Sequence, residues 1–163
     1  MRRVLQVASA LFVAGAMAAT EKTLDLASVI DAAAAQKILG EAVKKPTPLN
    51  SAASDGYHSK CIYFGSKSAR SLSLRLRQAA EGSLSAADEF DEVVQQGGES
   101  KPIKNLGERA AYLEGSDQNG LPPHAVMLYV VKGNAFITVG VSGLADGALE
   151  KAKTVARKIL TKL

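Results

Sequence analysis

The stretch that decides the fold is AVMLYVV-KGN-AFITVGV, residues 125–141. Residues 125–131 and 135–141 are rich in β-branched and aromatic side chains, which favour extended backbone in a sheet. Between them lies Lys132-Gly133-Asn134, and a Gly-Asn pair is typical of a tight hairpin turn. The stretch therefore predicts an antiparallel hairpin, and the rest of the chain is interpreted around it.

Two segments upstream predict a second hairpin. Residues 57–64 are rich in β-forming residues, and residues 71–77 read Ser-Leu-Ser-Leu-Arg-Leu-Arg. Because successive side chains on a strand point to opposite faces, the leucines of residues 71–77 must share one face, with serines and arginines on the other. Residues 108–113 predict a short further strand, so we expect an antiparallel sheet of about five strands.

Three segments predict helices around this sheet. Residues 28–39 and 85–96 each open with Ser-x-x-Asp, which matches a capping box, and each is followed by glycine. Residues 146–163 repeat apolar side chains at helical spacing and carry lysines and arginines on the opposite face. The predicted element order is α-β-β-α-β-β-β-α, in a single α+β domain over residues 20–163 with helices packed against the sheet.

The beginning of the chain predicts a secretory signal peptide over residues 1–19. Two arginines form a basic head, an uncharged apolar run follows, and Ala16-Met17-Ala18 has the small-x-small pattern that signal peptidase cleaves. An uncleaved membrane anchor is the competing interpretation, but a helix that spans a bilayer needs about 20 apolar residues, and this run is shorter. We therefore expect a periplasmic or secreted protein with no membrane span after cleavage.

Removal of the leader changes the charge balance. The sequence has 20 Lys and Arg residues against 16 Asp and Glu residues, but Arg2 and Arg3 belong to the predicted leader. The remaining charges nearly cancel, and the strongly basic surface typical of nucleic-acid binding is lost. Together with export, this balance predicts that nucleic acid is not a partner.

The single cysteine and the two histidines are the first residues to test for chemistry. His58 and Cys61 are three residues apart on a predicted strand and should point to opposite faces, so they cannot form a thiol–base pair or share a metal from that strand. Only His124 could replace His58 in either role. We expect a buried structural thiol, no catalytic residue, no metal and no cofactor; a small exported hydrolase or thiol enzyme that uses Cys61 is the alternative.

Several short motifs fall within the predicted elements: Ile38-Leu39-Gly40, Cys61-Ile62-Tyr63, residues 106–113, Gly133-Asn134 and residues 159–163. Together they resemble small exported bacterial proteins of uncharacterised function that are related to actinobacterial cell-envelope lipoproteins, with a fold similar to the PsbP-like α/β sandwich. The resemblance implies a non-enzymatic binding or accessory module outside the cytoplasm. This chain lacks the lipobox cysteine and the second cysteine that such proteins often carry, so neither a lipid anchor nor a disulfide at Cys61 is implied.

These observations predict an exported, non-enzymatic binding or interaction protein whose ligand is an unknown small molecule or envelope component. A groove between the sheet and its helices is the expected site, because strand tyrosines and arginines can line such a surface. The candidate residues are Tyr57, Tyr63, Arg75, Arg77, Tyr112 and Tyr129. A further alternative is an envelope-associated structural protein that docks through its basic C-terminal helix.

Overall fold

A computed structural model describes residues 22–116 and 119–163. The predicted signal peptide, residues 1–19, lies outside the described residues. The strands are β1 (Leu49–Ala53), β2 (Gly56–Phe64), β3 (Ser71–Ala79), β4 (Lys101–Pro102), β5 (Arg109–Glu114), β6 (Val126–Lys132) and β7 (Ala135–Ser142). The helices are α1 (Leu26–Val29), α2 (Ala32–Leu39), α3 (Ala86–Gln96) and α4 (Ala148–Leu160).

The strands form one antiparallel sheet in the order β1-β2-β3-β7-β6-β5-β4, which confirms the predicted α+β class. The expected count of about five strands is wrong, because the sheet has seven. The first unpredicted strand, β1, reads Leu-Asn-Ser-Ala-Ala, which lacks the usual alternation and forms only because a tight turn folds it back onto β2. The second, β4, has only two residues. The element order therefore gains a strand before each of the predicted strands β2 and β5.

The N-terminal helical region also differs from the prediction. It is two helices, each with its own N-cap: the side chains of Asp25 and Asp31 accept backbone N–H bonds at 3.0 and 2.8 Å. Ser28 lies inside α1, so the capping box expected there is wrong. The helix start predicted at Ser85 is confirmed, because Ser85 Oγ accepts the N–H of Asp88 at 3.1 Å and α3 begins at the next residue; the carboxylate of Asp88 accepts from the Ser85 hydroxyl at 2.6 Å rather than from its backbone N–H.

Helices α1, α2 and α4 pack on one face of the sheet, the helix-covered face. As predicted, Leu72, Leu74 and Leu76 share this face, and each is no more than 1 % exposed. They belong to the large aliphatic core that also includes Leu128 of β6 and Ile159 of α4. No helix within residues 22–116 and 119–163 has the length and apolar character needed to cross a bilayer.

The opposite face carries α3, which packs on β3, β6 and β7. Phe90 of α3 forms a small buried cluster with Phe136, Val131 and Ala111 of the sheet. This cluster lies toward one end of the strands, so side chains farther along β2, β3, β6 and β7 stay accessible on the same face.

Candidate functional site

Arg77 fastens α3 to the sheet and is itself 3 % exposed. Its Nε donates to Glu89 Oε2 at 2.5 Å, and its two other nitrogens donate to the carbonyl oxygens of Asp55 at 3.1 Å and Leu84 at 2.7 Å. A buried guanidinium needs such partners, because an unpaired charge would be costly in this position. Arg77 therefore does not line a surface, although the alternation of β3 placed it on the polar face correctly.

Three of the candidate tyrosines lie on the helix-covered face. Tyr63 is 1 % exposed and its hydroxyl donates to the carbonyl of Ile30, and burial raises the pKa of that hydroxyl. Tyr57 has the same strand parity as Tyr63 and is half-buried, while Tyr112 packs against the rim of the aliphatic core. Tyr63 is therefore a core residue, and none of the three can reach the face that carries Arg75.

The two remaining candidates, Arg75 and Tyr129, lie on one row of the opposite face. In the strand register Lys60 stands opposite Arg75, Arg75 opposite Thr138, and Thr138 opposite Tyr129. Side chains directly opposite each other point to the same face, so these four residues form a polar row across β2, β3, β7 and β6. Arg75 and Tyr129 are two strand spacings apart, which is about 10 Å.

A second row runs beside the polar row. Here Ile62 pairs with Ser73, Ser73 with Gly140, and Gly140 with Met127. A Cβ atom at Gly140 would lie 2.3 Å from Ser73 Oγ and 3.2 Å from Met127 Cε, so the glycine lets both side chains lie across the strand. The two rows, eight residues in all, are named the open sheet face.

The open sheet face is accessible and partly apolar. Lys60 is exposed, Arg75 keeps 53 % of its side chain exposed, and Ile62 and Met127 are half-buried. Among the described residues the exposed large hydrophobic side chains are Leu49, Phe64 and Leu84, and the first two border this face. Apolar side chains left open beside charges are typical of a binding surface.

The polar row carries an excess of positive charge. Lys60 and Arg75 are like charges directly opposite each other, an arrangement that destabilises a free sheet. Glu89 is the nearby counter-charge, but its carboxylate is shared between Arg77 at 2.5 Å and Arg75 at 3.5 Å. Within residues 22–116 and 119–163 Lys60 has no acidic partner within 4.0 Å. The row therefore favours an anionic group.

A groove of about 950 Å³ adjoins the open sheet face at Tyr129. Tyr129 and Leu113 form its sheet side, and Gln96 and Gly97 at the end of α3 form its helix side. The Tyr129 ring stacks on Phe136 with centroids 6.1 Å apart and planes 9° apart, and burial raises the pKa of its hydroxyl. Tyr129 therefore belongs both to the polar row and to the lining of the groove beside α3.

Cys61 has the properties of a structural thiol. It is 1 % exposed on the helix-covered face, and burial is the main cause that raises the pKa of its thiol. His58 points to the other face, as predicted, and its Nε2 lies 3.0 Å from Asp55 Oδ1. His124 precedes β6, which is three strand spacings, or about 14 Å, from β2. No group of three or more potential metal ligands occurs among the described residues.

Two of the eight residues of the open sheet face, Arg75 and Tyr129, are among the candidate residues that the sequence indicated. The alternation on β3 was a sufficient signal for Ser73, which shares its parity with Arg75. The two predicted hairpins place Lys60 and Ile62 beside β3, and Met127 beside Gly140, but the local sequence carries no signal for β3 lying beside β7, which joins the two hairpins into one face.

No family model, curated protein or solved structure matches the chain. The resemblance to exported PsbP-like proteins stays a prediction, and the function is inferred from the geometry of the open sheet face.

Proposed function

We propose that the protein is an exported, non-enzymatic binding module that holds an anionic ligand with an apolar body on the open sheet face. The observation that carries the proposal is the unequal cover of the sheet. One face is closed by three helices, whereas the other has accessible apolar and cationic side chains beside α3. A small amphiphile or an envelope component with the same chemistry satisfies this description.

The anionic end of the ligand is assigned to Lys60 and Arg75. Their side chains repel each other across neighbouring strands, and a bound anion would relieve that repulsion. Arg75 is held at one side by Glu89, which orients its guanidinium without neutralising it completely, because Glu89 also pairs with Arg77. Charge-assisted hydrogen bonds from Lys60 and Arg75 would then fix the ligand.

The apolar body is assigned to the second row. Ile62 and Met127 stand at the two ends of that row, with Ser73 and Gly140 between them, so an extended body can lie flat across the strands. Tyr129 extends this surface as far as the groove, where polar side chains such as Lys101 and Glu114 join Leu113. Covering these half-buried side chains would contribute about 25 cal/mol per Å² of apolar area.

The surroundings of Cys61 argue against the thiol-enzyme alternative. A nucleophilic cysteine is normally exposed and has a lowered pKa, whereas Cys61 is buried and burial raises its pKa. Its packing in the aliphatic core explains the residue without a reaction.

Amide shifts in ¹⁵N-labelled protein, titrated with octanoate and with the uncharged 1-octanol, test the proposal. We expect octanoate to shift residues of the two rows and to bind about tenfold more tightly than 1-octanol, because only octanoate meets the cations. Lys60→Met with Arg75→Met should abolish that preference and leave 1-octanol binding unchanged. Equal affinities for the two probes, or shifts confined to the helix-covered face, would contradict the proposal.

The charge distribution supports a second candidate, envelope docking through α4. The α3 helix carries Asp88, Glu89, Asp91 and Glu92, whereas α4, on the other side of the sheet, carries Lys151, Lys153, Arg157 and Lys158 against one Glu150. This separation would orient the protein with α4 toward an anionic surface.

Vesicle co-sedimentation tests the α4 candidate. Phosphatidylglycerol vesicles should bind the protein at low salt and release it at high salt, with about a fivefold loss for each cation removed in Arg157→Gln and Lys158→Gln. Failure to bind these vesicles at any salt concentration would contradict this candidate and would have no bearing on the proposal for the open sheet face.

A further inference from the structure

The two edges of the sheet are protected to different degrees. The edge strand β4 has two residues, Lys101 and Pro102, and both charge and proline discourage further pairing. The other edge strand, β1, has five residues, all of them exposed, and contains neither a charge nor a proline. A natural sheet edge of this kind is a potential partner for another strand.

The backbone of β1 is available for that pairing. β1 is terminal in the sheet, and within residues 22–116 and 119–163 its strand partner is β2. Alternate residues of an antiparallel edge strand turn their N–H and C=O groups away from the sheet. In addition, the side chain of Leu49 is 63 % exposed at the start of the strand.

We propose that β1 pairs with β1 of a second copy in antiparallel orientation, about a two-fold axis at Ser51. This register places Leu49 opposite Ala53 of the second copy and Asn50 opposite Ala52, so the larger side chain meets a small one at each position. Pro48 and the turn after Ala53 stop the pairing at the two ends together. The result is a continuous sheet through two copies, and this inference does not depend on the ligand of the open sheet face.

Charge does not oppose this arrangement. No charged residue lies on β1, and the chain without its predicted leader is nearly neutral. The nearest like charges facing the same side are the two Lys60 residues, which would lie about 20 Å apart, three strands across and four residues along. That separation is roughly twice the Debye length of about 8 to 10 Å.

The dimer is expected to be weak and reversible. A pairing of two five-residue strands buries less than the about 1,200 Å² typical of stable interfaces, so we expect a dissociation constant on the order of 100 µM. Such a dimer is present at high local concentration and dissociates on dilution.

Sedimentation velocity of the chain without its predicted leader, from about 10 µM to about 1 mM, tests the inference. We expect a concentration-dependent shift from monomer to dimer. Ser51→Lys and Ser51→Glu each place two like charges opposite each other and should weaken the dimer by about fivefold or more. An equimolar mixture of the two variants should restore dimerisation, since opposite charges then meet at the axis.

Ala33→Lys, on the exposed side of α2, is the matched control and should dimerise like the unmodified chain. A chain that stays monomeric at about 1 mM overturns the inference. The exposed edge strand β1 would then be a candidate for pairing with a strand of a different protein. A dimer that neither Ser51 variant weakens also overturns it, because the contact would then lie on another surface. Because only folded variants can form the heterodimer, its recovery would show that each variant alone had lost the contact and not its fold.

Discussion

The same strands present two different chemical surfaces, one on each side of the sheet. On β3, Leu72, Leu74 and Leu76 enter an aliphatic core, while Ser73 and Arg75 between them stay accessible. The first surface is sealed by helices that pack on aliphatic side chains, whereas the second carries a helix fastened by Arg77 and a small aromatic cluster. Stability is therefore concentrated on the helix-covered face, and the open sheet face is free to carry charge, hydroxyls and glycine.

The largest expected effect is on the free energy of unfolding. It comes from substitutions at two neighbouring residues of β6 whose side chains point to opposite faces of the sheet. Leu128→Ala removes a fully buried side chain from the core and should lower the free energy of unfolding by about 3 to 4 kcal/mol. Met127→Ala, on the half-buried open sheet face, should lower it by less than about 1 kcal/mol. Urea unfolding of the two variants measures both values. Equal losses would show that the two faces contribute similarly to stability.

The next effect concerns the attachment of α3. Arg77→Met removes the closest partner of Glu89, which keeps only Arg75 at 3.5 Å, and the donor to the carbonyl of Leu84; it should cost about 3 kcal/mol, with faster amide exchange in α3. Arg75→Met, two residues away on the same face, should cost less than about 1 kcal/mol because Arg75 is largely exposed. For both variants, amide hydrogen exchange measures the opening of α3, and urea unfolding measures the free energy of unfolding. A similar loss in both variants would place the attachment of α3 elsewhere.

A smaller loss of stability is expected at Gly140, where the side chains of the second row lie closest together. Gly140→Ala should cost about 1 kcal/mol, because the new Cβ displaces Ser73 Oγ and presses on Met127. Adding Ser73→Ala should recover most of the loss, since the closer of the two contacts is removed. A double-mutant cycle in urea measures the coupling, and strictly additive losses would mean that the two side chains do not compete for the space above the glycine.

The smallest effect is the pH dependence due to Cys61. Its pKa is raised in the folded protein, so its contribution to stability is complete below the pKa of about 8.5 in the unfolded chain and is lost as pH rises toward the folded value. The free energy of unfolding should therefore fall between pH 8 and 10 more steeply than in Cys61→Ala.

Thiol labelling provides the direct check on Cys61. At neutral pH the native thiol should react at least about a hundredfold more slowly than in urea, because labelling requires opening of the core. Rapid native labelling accompanied by loss of an activity would instead support the thiol-enzyme alternative.

Sequence patterns predicted the elements whose signals are local. Ser85 opens α3 as its capping box indicates, and the three leucines of β3 share the buried face. The patterns did not predict β1, which depends on pairing with β2, nor the second row, which depends on β3 lying beside β7. Arg77 was predicted on the correct face, but its burial depends on where α3 packs, and this is a tertiary property.

Site-specific photo-cross-linking in the protein's own compartment tests the claim that the open sheet face binds. A benzophenone amino acid replaces Thr138, at the centre of the polar row, and in a matched variant replaces Thr154, exposed on α4. We predict a defined adduct from position 138, weakened when Lys60 and Arg75 are also changed to Met, and none of the same mass from position 154. An adduct from position 154 alone, or none from position 138 in a folded protein, would contradict this assignment.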